Sequence, residues 1–264
     1  MIIPFDQDAP IDAAGCKGHN LSRMWQAGLP VPAGFCVTWD GIESLPVAEL
    51  PGALAGLQAP GFAVRSSAIQ EDAMSASFAG ILVSRLNVTT VDGVISALAD
   101  IRNSASAQTA MDYSRRRNVP FAMRIAAVVQ VFVAAESSGV LFMRDPLSGA
   151  GYTVVEGCWG LGPGTVEGLV RPDRWVISPD GVLVSAHIAD KDIAVVPSER
   201  GGTKEMPVDA ACRRRPCLSL EFLRQLSHLA AKCEGLFGTP QDIEWAVADG
   251  QLWLLQSRPI TSSR

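Results

Sequence analysis

The pattern that most constrains this chain is DIEWAVADGQLWLLQSRP, at 242–259. Two runs of alternating residues flank Asp249-Gly250, so a closing β-hairpin is expected. Successive residues of a strand face opposite sides of a sheet. Asp242 and Glu244 therefore share a face, and so do Gln256 and Arg258. Ile243, Trp245 and Val247, with Trp253 and Leu255, turn to the other face and a core. Whether the two polar pairs meet depends on the turn. A two-residue turn at Asp249-Gly250 pairs Glu244 with Leu255 and sends Gln256 to the apolar side. A three-residue loop, Ala248-Asp249-Gly250, puts Asp242 opposite Gln256, with Glu244 and Arg258 on the same surface. An odd loop is therefore expected.

Two carboxylates on one face suit magnesium, which takes hard oxygen ligands and shares them with phosphates. A guanidinium beside them suits a phosphate oxygen or a transferring phosphoryl group. An exposed sheet face carrying ordinary ion pairs would show the same residues, and the hairpin alone does not separate the two explanations.

Composition removes other classes. The net charge of −5 is not that of a nucleic-acid binder, and the short runs Arg115-Arg116-Arg117 and Arg213-Arg214-Arg215 read as solvated surface. The 6 Cys form no CxxC pair, and His19, His187 and His228 lie scattered among them, so reduced thiols and no zinc site are expected. The N-terminus carries Asp6 and Asp8 and no basic region, unlike a secretory leader. The longest nearly apolar stretch, Ile125 to Ala135, is too short to span a bilayer and contains Gln130. A cytoplasmic protein is the expectation.

Along the chain, 16–28 reads as a short helix ending on Gly28, and 62–67 and 81–88 read as strands. Residues 91–103 and 105–118 read as helices, the first with Val94, Ile95, Leu98 and Ile101 on one stripe. The segments 125–133 and 138–143 look like a hairpin. Pro179-Asp180-Gly181 joins strands at 174–178 and 182–188. The clearest helix is 219–237, capped by Ser219, with Leu220, Leu223, Leu226, Leu229, Ala230 and Cys233 on one face. Residues 40–60 give no clear element. Strands and helices mix without strict alternation, so the fold class expected is α+β, or mixed α/β.

Several segments in order carry a family resemblance: GCKGHNLSRMWQAGLPVPAGFCVT, FAVRSSAIQEDAMSASFAG, VVQVFVAAESSGVLFMRDPLSG, GCWGLGPGTVEGLVRPDRW and PQDIEWAVADGQLWLLQSRPI. Together they span about Ala14 to Thr261 and are similar to the N-terminal ATP-binding domain of phosphoenolpyruvate synthase and pyruvate phosphate dikinase. Rifampicin phosphotransferase and glutamine kinase share that domain. The resemblance implies an ATP-grasp-like fold with ATP between two lobes, placed at 1–124 and 125–264. It implies that Lys17 and Arg65 contact phosphates, with Ser66 and Ser67 offering hydroxyls beside them. Glu71 and Asp72 match the acids of the same block, as a solvated loop or in a direct role. Ser77, Phe78, Ala79 and Gly80 match a mobile loop covering the phosphates. Gln130 falls in the adenine-side strand, with Glu136 just beyond it. Asp242 and Glu244 match metal-binding acids, and Gln256 and Arg258 match nucleotide and phosphoryl contacts. ATP and Mg²⁺ are the implied cofactors.

The sequence departs from the family pattern at Cys16, where a glycine is usual, at Ile81 after SFAG, at Pro163 in place of Glu, and at Met143-Arg144 before Asp145-Pro146. Family members also carry a histidine that accepts phosphate within a small Thr/Gly/Ser-rich motif, and none of the three histidines here has that setting. The expected function is cleavage of ATP to AMP and phosphate, with a phosphoryl group passed to a histidine on a separate phosphohistidine-domain protein. Phenylphosphate synthase shows such a split. A stand-alone kinase acting on an unknown small-molecule acceptor and a non-catalytic nucleotide-binding module are the alternatives. Neither nucleic acid nor membrane is an expected partner.

Overall fold

The computed structural model describes residues 1–69, 83–105, 124–145, 150–166 and 168–260. The chain divides into two compact units: Met1–Gln26, Pro32–Phe132 and Arg200–Gly202 in the first, and Ala27–Val31, Val133–Glu199 and Thr203–Arg264 in the second. The architecture is α+β.

In the first unit, β1 (Ile2–Pro4), β2 (Gly34–Val37), β3 (Phe62–Ala68), β4 (Ser84–Val88) and β5 (Ile125–Val131) form a sheet in the order β1-β2-β5-β3-β4. Every neighbouring pair is antiparallel. Helices α1 (Ile11–Gln26), α2 (Trp39–Ser44), α3 (Leu50–Leu57) and α4 (Val91–Ala105) complete it. Alternation along the strands sorts their residues. Phe35, Val37, Phe62, Val64, Ala127 and Val129 join Ile42, Leu50, Leu98 and Ile101 in one core cluster. Arg65, Ser67 and Gln130 occupy the other face, where α1 docks through a bond from Gly18 N to Ser67 Oγ. The expected stripe on α4 is seen, with Val94, Leu98 and Ile101 fully buried. The Pro- and Gly-punctuated stretch at 40–60 holds two short helices. Thr38 caps α2 by accepting from Gly41 N.

In the second unit, β6 (Ser137–Phe142), β7 (Thr153–Trp159), β8 (Asp173–Ile177) and β9 (Leu183–His187) join β12 (Gln241–Ala248) and β13 (Gln251–Pro259) in an antiparallel sheet ordered β13-β12-β6-β7-β8-β9. A separate ribbon pairs β10 (Ile193–Pro197) with β11 (Thr203–Pro207), which sequence pattern did not mark. Helices α5 (Pro163–Val166) and α6 (Leu220–Phe237) belong to the same unit. Ser219 caps α6 by accepting from Phe222 N, and Gly238 ends it at φ 75°. Leu223, Leu226, Ala230 and Cys233 are buried, whereas Leu220, in the first turn, is 57% exposed and Leu229 only half-buried.

Some expectations are corrected. The segments 125–133 and 138–143 do not pair. β5 lies between β2 and β3, whereas β6 lies between β12 and β7. The two bonding systems change over within five residues: Phe132 N donates to Gly61 O, and Glu136 N donates to Val247 O. The division after residue 124 therefore moves to Phe132/Val133, because β5 completes the first sheet. The expected helix at 105–118 lies outside the described residues after Ala105.

One buried ion pair has no sequence signature. Asp173 and Lys191 are both fully buried. Asp173 Oδ1 accepts from Lys191 Nζ at 2.6 Å and from Ala189 N at 2.8 Å, and Oδ2 accepts from Cys217 N at 2.8 Å. Lys191 also donates to Ala189 O. With its partners at hydrogen-bond distance, the pair ties the start of β8 to two loops.

Candidate functional site

In the first unit, the segment Gly15–Gly18 is stitched to the end of β3. Gly15 breaks α1 at φ 69°, ψ 172°, and a Cβ there would sit 2.3 Å from Ser67 O, so only glycine allows the approach. Ser67 Oγ donates to Ala14 O and accepts from Gly18 N. Lys17, 8% exposed, donates from Nζ to Ser66 O at 3.0 Å. Cys16 holds its place by donating its thiol proton to Ile69 O. The kink needs one glycine, at 15, and Cys16 adds a bond of its own.

Arg65 projects from β3 on the same face as Ser67 and is nearly buried. Its Nη2 donates to Gln130 Oε1 at 2.8 Å, and Gln130 Nε2 donates to Pro32 O at 3.2 Å. Lys17 and Arg65 thus bring two cationic side chains to neighbouring points of one strand.

In the second unit, the closing hairpin differs from expectation in its turn. Ala248 pairs with Gln251, so the loop is Asp249-Gly250 alone. Both residues have positive φ, 51° and 69°, which is the two-residue primed turn that matches strand twist. With that turn, an unbroken ladder would have separated the polar pairs. It is broken: the register shifts between Glu244 and Trp245, where Leu255 is the extra residue of a β-bulge. Beyond it Glu244 pairs with Gln256 and Asp242 with Arg258. The shared polar face is present, reached by a bulge and not by an odd loop. The bulge also changes the apolar set. Leu252 and Leu254 face Val247 and Trp245 and are buried, whereas Trp253 pairs with Ala246 and is half-buried, as is Leu255.

Arg258 donates from Nε to Asp242 Oδ2 at 2.7 Å and places Nη2 at 2.7 Å from the same oxygen. The carboxylate's other oxygen, Oδ1, is outside this fork. The Asp242 side chain is 10% exposed and that of Arg258 52%. Burial pushes the Asp242 carboxyl above its usual range. The Arg258 charge and hydrogen bond pull it down, and Glu244 adds to the rise. A buried carboxylate that one guanidinium does not fully compensate fits an additional cation. The donor set agrees: two carboxylates and the Gln256 amide, enough for magnesium, which keeps waters and phosphate oxygens as its other ligands. Among the described residues no cluster of three or more His, Cys, Asp or Glu forms a metal cage.

The sheet register extends this polar face. Val140 lies between Glu244 on one side and Glu156 on the other, and Glu156 faces Arg174. Arg174 donates from Nη1 to Glu156 Oε1 at 2.8 Å and from Nη2 to Asp145 Oδ1 at 3.4 Å. Sequence reading missed these three residues; the signal was a lone acid inside the apolar run VVEGC. Glu136 is placed elsewhere. It is exposed, and its Oε1 accepts from Asp249 N, at the turn end of the hairpin and away from the Asp242–Arg258 pair. Pro163 opens α5, where its missing N–H costs nothing. Ser77, Phe78, Ala79 and Gly80, with Glu71, Asp72 and Ile81, lie outside the described residues. No helix of the described residues is long and apolar enough to cross a membrane.

Comparison with known proteins adds a family. Residues 47–264 match the model of the pyruvate phosphate dikinase AMP/ATP-binding domain. The chain is similar to the prodigiosin synthesizing transferase PigC of Serratia marcescens, at 34% identity over 94% of this chain and 31% of that protein. It is 32% identical to a "Probable phosphoenolpyruvate synthase" of Methanocaldococcus jannaschii, over 96% of this chain and 26% of that one. A rifampicin phosphotransferase of a Streptomyces species is 37% identical, over 96% of this chain and 35% of that protein. The chain thus spans well under half the length of these relatives.

Proposed function

The chain belongs to the pyruvate phosphate dikinase AMP/ATP-binding domain family, and from that premise we propose that it is the ATP-binding part of a phosphotransferase. It cleaves ATP to AMP and phosphate and passes a phosphoryl group to a histidine outside these 264 residues. In balance, ATP, water and the histidine yield AMP, phosphate and phosphohistidine. The observation that carries this is the pairing of Asp242 with Arg258 and Glu244 with Gln256 on one sheet face.

Phosphoryl transfer asks mainly for positioning and charge neutralisation. Asp242 and Glu244 would hold magnesium, which would screen the charge of the phosphates. Arg258, half-exposed at its guanidinium, turns donors toward the migrating group while Asp242 anchors it. Gln256 supplies an uncharged donor and acceptor to the nucleotide. Lys17 and Arg65 bind phosphate oxygens. The Lys17 ammonium, now on Ser66 O, exchanges one of its donors to do so. A small molecule as final acceptor is favoured by the relatives named rifampicin phosphotransferase.

The test is ATP labelled at the β- and γ-phosphates, incubated with the chain alone and with a phosphohistidine-domain protein. AMP and labelled phosphohistidine formed only in the mixture support the proposal. ADP and a phosphorylated small molecule formed by the chain alone would assign it as a direct kinase. Failure to bind ATP would overturn both.

A further inference from the structure

Gln130 is 1% exposed and is the next-to-last residue of β5, the strand between β2 and β3. The ladder pairs Arg65 with Val128, so Gln130 is the diagonal neighbour of Arg65 on the same face. Its amide is used at both ends: Oε1 accepts from Arg65 Nη2 and Nε2 donates to Pro32 O. The orientation of the amide follows from chemistry. A guanidinium only donates and a backbone carbonyl only accepts, so no flipped amide satisfies both partners. Gly34, the β2 residue opposite Gln130, lets the backbones of β2 and β5 approach closely. A Cβ there would lie 2.5 Å from Val129 O and 3.0 Å from Gln130 Cα.

We propose that Gln130 is the positioning residue of Arg65, fixing the direction of its guanidinium against the backbone at Pro32, and that it serves the phosphates and not the base. This rests on the assignment of Arg65 as a phosphate ligand. The choice of an amide has a physical reason. A carboxylate at 130 would hold the guanidinium as firmly but would cancel its charge, which the phosphate needs. A neutral acceptor orients the cation and leaves its field in place. The adenine-side role that the family resemblance suggests for Gln130 is thereby replaced. Its polar atoms already have protein partners, and their geometry is that of a strut.

The test measures affinities for ATP, inorganic tripolyphosphate and adenosine by calorimetry, in the unaltered chain and in Gln130→Met, Gln130→Glu, Arg65→Met and the double variant Arg65→Met/Gln130→Met. Positioning predicts that Gln130→Met weakens ATP and tripolyphosphate alike, each by about tenfold, and leaves adenosine unchanged. Gln130→Glu, which keeps an acceptor on Arg65, is expected to fold and to weaken both phosphate ligands at least as much. In the Arg65→Met background the change at 130 should have no further effect. Loss of adenosine affinity with tripolyphosphate unchanged, or additive effects in the double variant, would overturn the proposal. An Arg65→Met variant that binds tripolyphosphate normally would instead overturn the phosphate assignment of Arg65 itself. Should Gln130→Met not fold, the Gln130→Glu variant and the double variant, in which two apolar groups replace a matched polar pair, give the same decision.

Discussion

Asp242 and Arg258 face each other across the last hairpin, with both Nε and Nη2 of the arginine 2.7 Å from a single carboxylate oxygen. The arrangement is lopsided, since the acid is buried and the base is half in solvent. Removing either partner should therefore act differently. If Arg258 contacts the migrating phosphoryl group as proposed, Arg258→Ala removes one donor from it, and ATP turnover should fall ~10²-fold or more. If Asp242 holds magnesium as proposed, Asp242→Asn, which keeps the size and removes the charge, should lower magnesium-dependent ATP affinity while the melting temperature holds. A turnover change of only a few fold in Arg258→Ala would show that its guanidinium does not touch the reacting group.

The bulge at Leu255 makes a sharper forecast. Deleting Leu255 would let a regular ladder run from Ala248–Gln251 through Glu244–Gln256, with every polar pair kept. That variant should fold and bind ATP with affinity near that of the unaltered chain. Inserting one glycine between Asp249 and Gly250 should change the register set by the turn and lower ATP affinity sharply. The turn itself can be probed by Gly250→Ala. Gly250 sits at φ 69°, so an alanine there should cost about 1 kcal/mol, read from urea unfolding.

These elements show what was legible in the sequence. Alternation gave the hairpin and its polar face, because side-chain direction follows from strand geometry alone. It did not give the bulge. Leu255 has no positive φ and no glycine marks it, so nothing local distinguishes it from a regular strand residue. Its consequence, that Gln256 and Arg258 stay on the face of Asp242 and Glu244, is legible only as a demand for one extra residue, and the sequence pattern assigns that residue to the loop. The split of β5 from β6 was hidden for another reason. Adjacent apolar runs read alike whether they pair with each other or with distant strands. The family segments located Lys17 and Arg65. The Gln130 strut depends on a partner at Pro32, 98 residues away in sequence.

The Asp173–Lys191 pair should be a sensitive point for stability. Both groups are fully buried, and the aspartate also accepts two backbone N–H groups. Lys191→Met leaves a buried carboxylate without its cation, a change that costs about 3–5 kcal/mol in comparable pairs. Replacing both residues by apolar ones should not restore full stability, because the amides of Ala189 and Cys217 would then lose their acceptor. Urea unfolding of the two variants measures this. A loss under 1 kcal/mol for Lys191→Met would mean that water reaches the site.

Thiol reactivity offers an independent check on the packing. None of the six cysteines is in a disulfide; five are buried and Cys212 is half-buried. Burial pushes the thiols of Cys36 and Cys233 up to about 12, and those of Cys158 and Cys217 are also raised by burial above all. At pH 8 a thiol with a pKa near 12 is ionised to the order of 10⁻⁴, and the thiolate is the reactive form. A disulfide reagent should therefore modify Cys212 quickly in the folded protein and the others only as fast as it unfolds. The Cys212→Ser variant should lose the fast phase. The same shifts act on stability. A group whose folded pKa is raised binds its proton more tightly in the native state. Its contribution is complete below the unfolded thiol pKa and is lost as pH rises toward the folded value. Unfolding free energy should thus decline between about pH 9 and 12, and the decline should be shallower in Cys36→Ala, which removes one of these groups. An equally steep decline in that variant would assign the alkaline loss to other groups.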